Sequence, residues 1–306
     1  MIDLDHAPLS DLHRHLDGSL RPTTLAALAA ERGVVVPAGL GFAPGMGLTQ
    51  ALACFEVTLA VLQDAAALRR VAAEIVDDAA GEGVTTLEVR FAPQLHGRAG
   101  LTVADAVDAA LAGLAGRAGL VLCVLYGEDP AIARALVDVG AERAGVVGID
   151  LAGGPVPGQG WDLAAYGPAF QRAAALGLGR TVHAGEGRPP AEIRTAIEAL
   201  GAQRIGHGTT LLADPAVVEL VRARGVTLEA CLTSNVHVGA IARVDDHPLA
   251  RWLALGVRAC INTDNTLFSR VTARSELACA RALPGMTDEL LARAIAHGHA
   301  AAFVRV

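Results

Sequence analysis

The sequence predicts an α/β fold, a (β/α)8 TIM barrel with a helical lid inserted after strand one, and three observations predict it. Eight short β-rich runs alternate with Ala- and Leu-rich segments of helical periodicity. The chain has 306 residues, a length that one such barrel fills, so residues 1–306 are read as a single domain. Ionisable residues recur at the carboxyl ends of the runs, the face on which this fold builds active sites. A doubly wound open sheet is the rival, but no GxGxxG follows the first strand.

The first run is DLHRH (11–15), in which His13 and His15 alternate by two and share one side of the strand. A helix is expected near 23–32, then the Gly/Pro-rich VVPAGLGFAPGMGL (35–48) and the helical ALACFEVTLAVLQD (51–64). Residues 35–65 thus form an insertion on the carboxyl rim, where it can cover a site. AALRRVAAEIVDDAAGEG (66–83) reads as the helix leading into TTLEVRF (85–91). VADAVDAALAGLAGR (103–117) leads likewise into LVLCVL (120–125). Strands four to six are VVGID (146–150), RTVHA (180–184) and QRIGH (203–207). PAVVELVRARG (215–225) is a helix ending on a glycine suited to its C-terminus, and VTLEAC (226–231) and RACINTD (258–264) complete the strands.

Composition removes several classes of function. Hydrophobic residues make up 52% of the chain, yet no apolar run approaches the roughly 18 residues that span a bilayer. MIDLDHAPLSD lacks the features of a signal peptide, so a soluble cytoplasmic protein without membrane partners is expected. The net charge of -7, without basic clusters, argues against nucleic acid. Five cysteines with no CxxC pair indicate buried reduced thiols rather than disulfides or a cysteine metal site. All 25 basic residues are arginine, which excludes a lysine Schiff base, a P-loop lysine and a carboxylated-lysine metal bridge.

Four strand ends carry the chemistry. His13 and His15 lie on strand one, His183 ends strand five before Glu186, His207 ends strand six, and Asp264 ends strand eight. His6, His96, His237, His247, His297 and His299 read instead as hydrogen-bonded core or loop residues, with His247 in a turn before a helix. Imidazoles and a carboxylate converging on one rim are a ligand set for a divalent metal, Zn²⁺ foremost. Spacing alone does not decide which histidine stands aside to orient a water or take its proton. Glu186, three residues after His183, would reach the far side of a bound substrate as a proton donor, kept protonated by burial beneath the lid.

HLDGSLRP, TVHAGE, RIGHGTTL, CLTSN and INTDN, in this order, resemble the motif series of the adenosine deaminase family within the metal-dependent amidohydrolases. LEVRFAPQLH and IDLAGG extend the similarity, which runs from about residue 10 to the C-terminus. The resemblance implies one Zn²⁺ per chain on His13, His15, His183 and Asp264. It implies that His207 positions and deprotonates the water, and that Glu186 protonates N1 of a purine. It implies that the Gly153 N–H meets N3, that Asp17 holds the ribose 5′-hydroxyl, and that His15 also contacts the substrate. The implied reaction is hydrolytic deamination of adenosine or 2′-deoxyadenosine to the inosine product and ammonia. The HxE and PCxxC signature of zinc deaminases acting on cytidine is absent.

This chain departs from the family pattern in three places. Asn265 replaces a common second aspartate, and its amide can donate to N7 without a shifted pKa. Gly154-Pro155 stands where an acidic residue often follows the glycine motif, and YGED (126–129) where a basic residue often follows strand three. Asp17, rather than the glutamate of members that act on free adenine, favours a nucleoside, because a site built for a hydroxyl rejects ligands lacking it. The alternatives are a 5′-modified adenine nucleoside such as aminodeoxyfutalosine, whose carboxylate Arg270 or Arg90 would receive, and adenine itself.

Overall fold

A computed structural model describes residue 4 and residues 6–155 and 161–303; the stretch inspected for a leader lies partly outside them. In chain order the elements are β1 (Leu9–His15), α1 (Pro22–Arg32), α2 (Leu48–Val61), α3 (Ala65–Gly81), β2 (Val84–Phe91), α4 (Val103–Leu114) and β3 (Gly119–Leu125). Then come α5 (Pro130–Ala141), β4 (Val146–Ala152), α6 (Gly167–Ala175), β5 (Gly179–Ala184), α7 (Ala191–Glu198), β6 (Arg204–His207) and α8 (Pro215–Arg224). The last are β7 (Thr227–Ala230), α9 (Leu232–His237), α10 (Leu249–Ala254), β8 (Arg258–Ile261), α11 (Thr266–Ser269), α12 (Ala273–Arg281) and α13 (Asp288–Ala301).

The eight strands lie in sequence order in one parallel sheet. Its edges meet just past β8: the N–H of His15 donates to the Asp264 carbonyl at 2.8 Å, and the Asp264 N–H to the His13 carbonyl at 2.7 Å. The expected (β/α)8 TIM barrel is therefore observed, nearly closed. Closure has a functional consequence, because it sets a carboxylate from the end of the chain beside two imidazoles from its beginning.

The expected elements differ from the observed ones at their ends. The helix after the Gly/Pro-rich stretch starts at Leu48 rather than 51, because Gly47 (φ 86°) already caps it. The 103–117 helix stops at Leu114, since Ala115 and Gly116 both take left-handed backbone. Helix α3 begins on Asp64, whose carboxylate accepts from the Ala67 N–H, and buries an apolar stripe through Leu68, Val71, Ala72 and Ile75. Among the described residues no single helix is long and apolar enough to cross a membrane; the pair α2 and α3 meets the length and composition together but is bent by 119°.

The barrel interior is charged. Glu88, Arg90, Asp150, Arg204 and Glu229 are each no more than 1% exposed. Arg204 donates to Glu88 at 2.5 Å and lies 2.6 Å from Glu229, while Arg90 bridges Asp150 and Glu229 at 2.8 and 3.0 Å. Five such side chains are tolerated in the interior because each has a partner, so this interior is built to hold polar groups in place.

Candidate active site

Each predicted metal-binding side chain sits on the carboxyl rim. His13 Nε2 is 3.1 Å from His183 Nε2 and 3.6 Å from Asp264 Oδ1, and His15 Nε2 is 3.3 Å from that same oxygen. Donor atoms of His13, His15 and His183 all lie within 4.8 Å of one another. The predicted ligand set thus converges although its members are up to 251 positions apart in the chain. The backbone is bent to achieve this. Asp264 has φ 63° and His207 φ 66°, left-handed values that cost about 1–3 kcal/mol for non-glycine residues and turn both side chains off their strand lines into the mouth. A Cβ on Gly206 would lie 2.9 Å from His13 Cε1, so the glycine of RIGHG is there because the His13 ring passes over it.

A second layer fixes what these donors present. Glu229 Oε2 is 2.7 Å from His13 Nδ1, and the Asp150 carboxylate is 3.1 Å from His183 Nδ1. Carboxylates in those positions accept hydrogen bonds from Nδ1–H and turn both Nε2 atoms toward the shared space. Two imidazole nitrogens facing at 3.1 Å are held together by a shared proton or by a cation. With three imidazole nitrogens and one carboxylate oxygen, the residues fit a borderline divalent metal, Zn²⁺ foremost. Cys231 also approaches His13 and Asp264, but burial raises its thiol well above the ordinary range and keeps it protonated.

Opposite the donors stands an acid–base pair. Glu186 Oε1 lies 3.4 Å from His207 Nδ1. Burial raises the Glu186 carboxyl above the usual glutamate range, against the charges of Arg188 and His183. Burial pushes the His207 imidazole down to about 3, so it is neutral near pH 7. Asn235 was not singled out from the sequence, yet its Nδ2 donates to Glu186 Oε1 at 3.1 Å and lies 3.0 Å from His207 Nδ1. Ser234 Oγ–H donates to Asp264 Oδ2 at 2.5 Å. Both come from the CLTSN motif, in which neither residue type signals such a role by itself. His247, read as a turn residue, is buried against Asn235, its Nε2 3.3 Å from Asn235 Oδ1.

The remaining predicted residues line the space in front. His15, Gly153, His183, Glu186, His207, Asp264 and Asn265 surround a pocket roofed by Phe42, Leu48, Ala51, Leu52 and Phe55 of the insertion. A cavity of about 280 Å³ continues past His15, Asp17 and Gly153. Burial lifts the Asp17 carboxyl to about 7, and its Oδ1 has no protein partner. A Cβ on Gly18 would fall 1.8 Å from Asn265 Oδ1, which explains why glycine follows Asp17.

Neither arginine weighed as a carboxylate receptor is placed for that role. Arg90 is fully buried behind the donors and committed to Asp150 and Glu229. Arg270 is exposed and lines a separate groove with Ser19, Arg21 and Asp78.

Residues 8–306 match the family profile described as adenosine deaminase. An adenosine deaminase from Serratia proteamaculans is 35% identical over 325 residues, covering 99% of this chain and 96% of that protein. The crystal structure of an adenine deaminase from Arthrobacter aurescens superposes with a TM-score of 0.88 at 27% identity, covering 97% and 94% of the two chains. An amidohydrolase from Burkholderia ambifaria, with bound Zn, gives a TM-score of 0.86 at 25% identity, covering 99% and 87%.

Proposed function

The chain belongs to the adenosine deaminase family and is an aminohydrolase, and from that premise we propose that it deaminates an adenine nucleoside at a single Zn²⁺ site. The observation that carries this reading is the convergence of His13, His15, His183 and Asp264 opposite a buried, proton-retaining Glu186. When bound, the metal supplies Lewis-acid activation of water, lowering its pKa toward about 7.

The chain's own residues do the rest. The Gly153 N–H and Asn265 amide hold N3 and N7 of the purine, and Asp17 holds the ribose 5′-hydroxyl. Glu186 gives its proton to N1, which makes C6 electrophilic. His207 holds the attacking water in line. The water oxygen becomes the C6 carbonyl and the C6–N bond breaks. Of the two water protons, one restores the Glu186 carboxyl, whose own proton is now on N1, and one leaves on the departing ammonia. Phe42 and Phe55 of the insertion shield the site, and a drier site strengthens each of these contacts. Asp17 is the residue that separates a nucleoside from the free base.

Ammonia release from adenosine, 2′-deoxyadenosine and adenine tests the proposal. The nucleosides should exceed adenine in kcat/KM by at least about 100-fold, the discrimination a hydroxyl-binding site provides. Preference for adenine would refute the role of Asp17.

A further inference from the structure

We propose that Asn235, held by His247, is a positioning residue that fixes which nitrogen of His207 carries the proton and aims the Glu186 carboxyl. The roles of Glu186 and His207 rest on the deaminase reading; the direction of the hydrogen bonds does not.

Donors and acceptors settle the directions, beginning with a group that has no freedom. The backbone N–H of Leu249 can only donate, and it donates to His247 Nδ1 at 3.2 Å. His247 is buried, which pushes its imidazole down to about 3 and keeps it neutral, so its one proton sits on Nε2. That Nε2–H faces Asn235 at 3.3 Å, and the facing amide atom must therefore be the acceptor Oδ1. Asn235 Nδ2 then points the other way with its two hydrogens. One meets Glu186 Oε1 at 3.1 Å and the other meets His207 Nδ1 at 3.0 Å. Both hydrogens and the carbonyl are committed, and the side chain is fully buried, so the amide has a single orientation. His207 Nδ1 is consequently an acceptor, and its proton lies on Nε2.

This changes what His207 presents to the pocket. In its resting tautomer it offers an N–H rather than a lone pair. It holds an attacking oxygen as a hydrogen-bond donor, and the proton-accepting half of its expected role does not belong to this tautomer. The same amide pins one oxygen of Glu186, leaving the other carboxyl oxygen to carry the proton toward substrate. Helix α9 therefore serves both halves of the site, with Ser234 on the metal-binding carboxylate and Asn235 on the proton-handling pair.

Nitrogen-15 NMR of histidine-labelled, zinc-loaded chain reads the tautomer without any substitution. The His207 signal, identified by its loss in a His207→Asn variant, should show the proton on Nε2; a proton on Nδ1 would overturn the proposal. Asn235→Ala and His247→Leu should keep the metal and leave KM within about 3-fold, while kcat falls roughly 10- to 100-fold. His247→Gln can still accept from Leu249 and donate to Asn235, so it should restore kcat to within about 3-fold. Unchanged kcat in His247→Leu, or equal losses in His247→Leu and His247→Gln, would contradict the relay. A chain that deaminates no purine would refute the reading of its function, whereas the NMR measurement would still decide the relay.

Discussion

Glu186 shows how burial sets chemistry at a single residue. An acid that must deliver a proton near neutral pH needs its carboxyl raised, and burial does so here despite the cations nearby. In the proposed role the active form is the protonated one. kcat/KM should therefore fall as pH rises through the elevated Glu186 pKa, and a pH–rate profile in the free enzyme regime should show that basic limb; a flat profile across it would remove Glu186 as the acid. The residues that converge as candidate metal ligands are legible because each stands at or near a strand end in a short motif, and period two places His13 and His15 together. Arg90, one of two candidates for a substrate carboxylate, is not available for that role, because Asp150 and Glu229, 60 and 139 positions away, enclose it, which a sequence does not reveal. Asn235 and His247 were missed for a related reason. Each gains its meaning from a contact across elements, and neither residue type signals chemistry by itself.

Among the elements, α9 contributes most for its size. It spans six residues, too short to be stable alone, and buries Leu232, Ser234, Asn235, Val236 and His237. Its N-terminal turn is held by Glu276 of α12, which accepts from the Thr233 N–H and hydroxyl. Burial lifts the Glu276 carboxyl from 4.5 to about 7. The folded state thus binds a proton more tightly than the unfolded chain does. The stability this group contributes is complete below about pH 4.5 and is lost as pH rises through about 7, by an amount on the order of 3 kcal/mol. Chemical denaturation across that window should show this slope, and Glu276→Gln should flatten it; an equal slope in the variant would assign it to other groups. The strand and helix order was readable from alternating periodicities, whereas the ends were not. They are set by left-handed residues such as Gly47 and Ala115, and Ala115 carries no sequence signal for that conformation.

At the scale of the whole molecule, the barrel is a frame for charge. Barrel type was evident from eight alternations in one chain, but a polar interior was not, because Glu88, Arg90 and Glu229 look like surface positions until the strands close. That interior aims His13 Nε2 and His183 Nε2 at one another across 3.1 Å, so the folded chain should gain stability on binding a divalent metal. Removing it with a chelator should lower the melting temperature. Re-adding Zn²⁺ at about 100 times its Kd should recover roughly 2.7 kcal/mol, and a melting temperature indifferent to metal would argue that the four donors do not form a site. The central claim joins that metal centre to an opposing acid, and Glu186→Gln addresses both at once. Ammonia release from adenosine and bound zinc are measured on the native chain and the variant. One zinc per chain in both, with turnover reduced about 100- to 10,000-fold in the variant, is the predicted result. A variant that still releases ammonia at the native rate would contradict it.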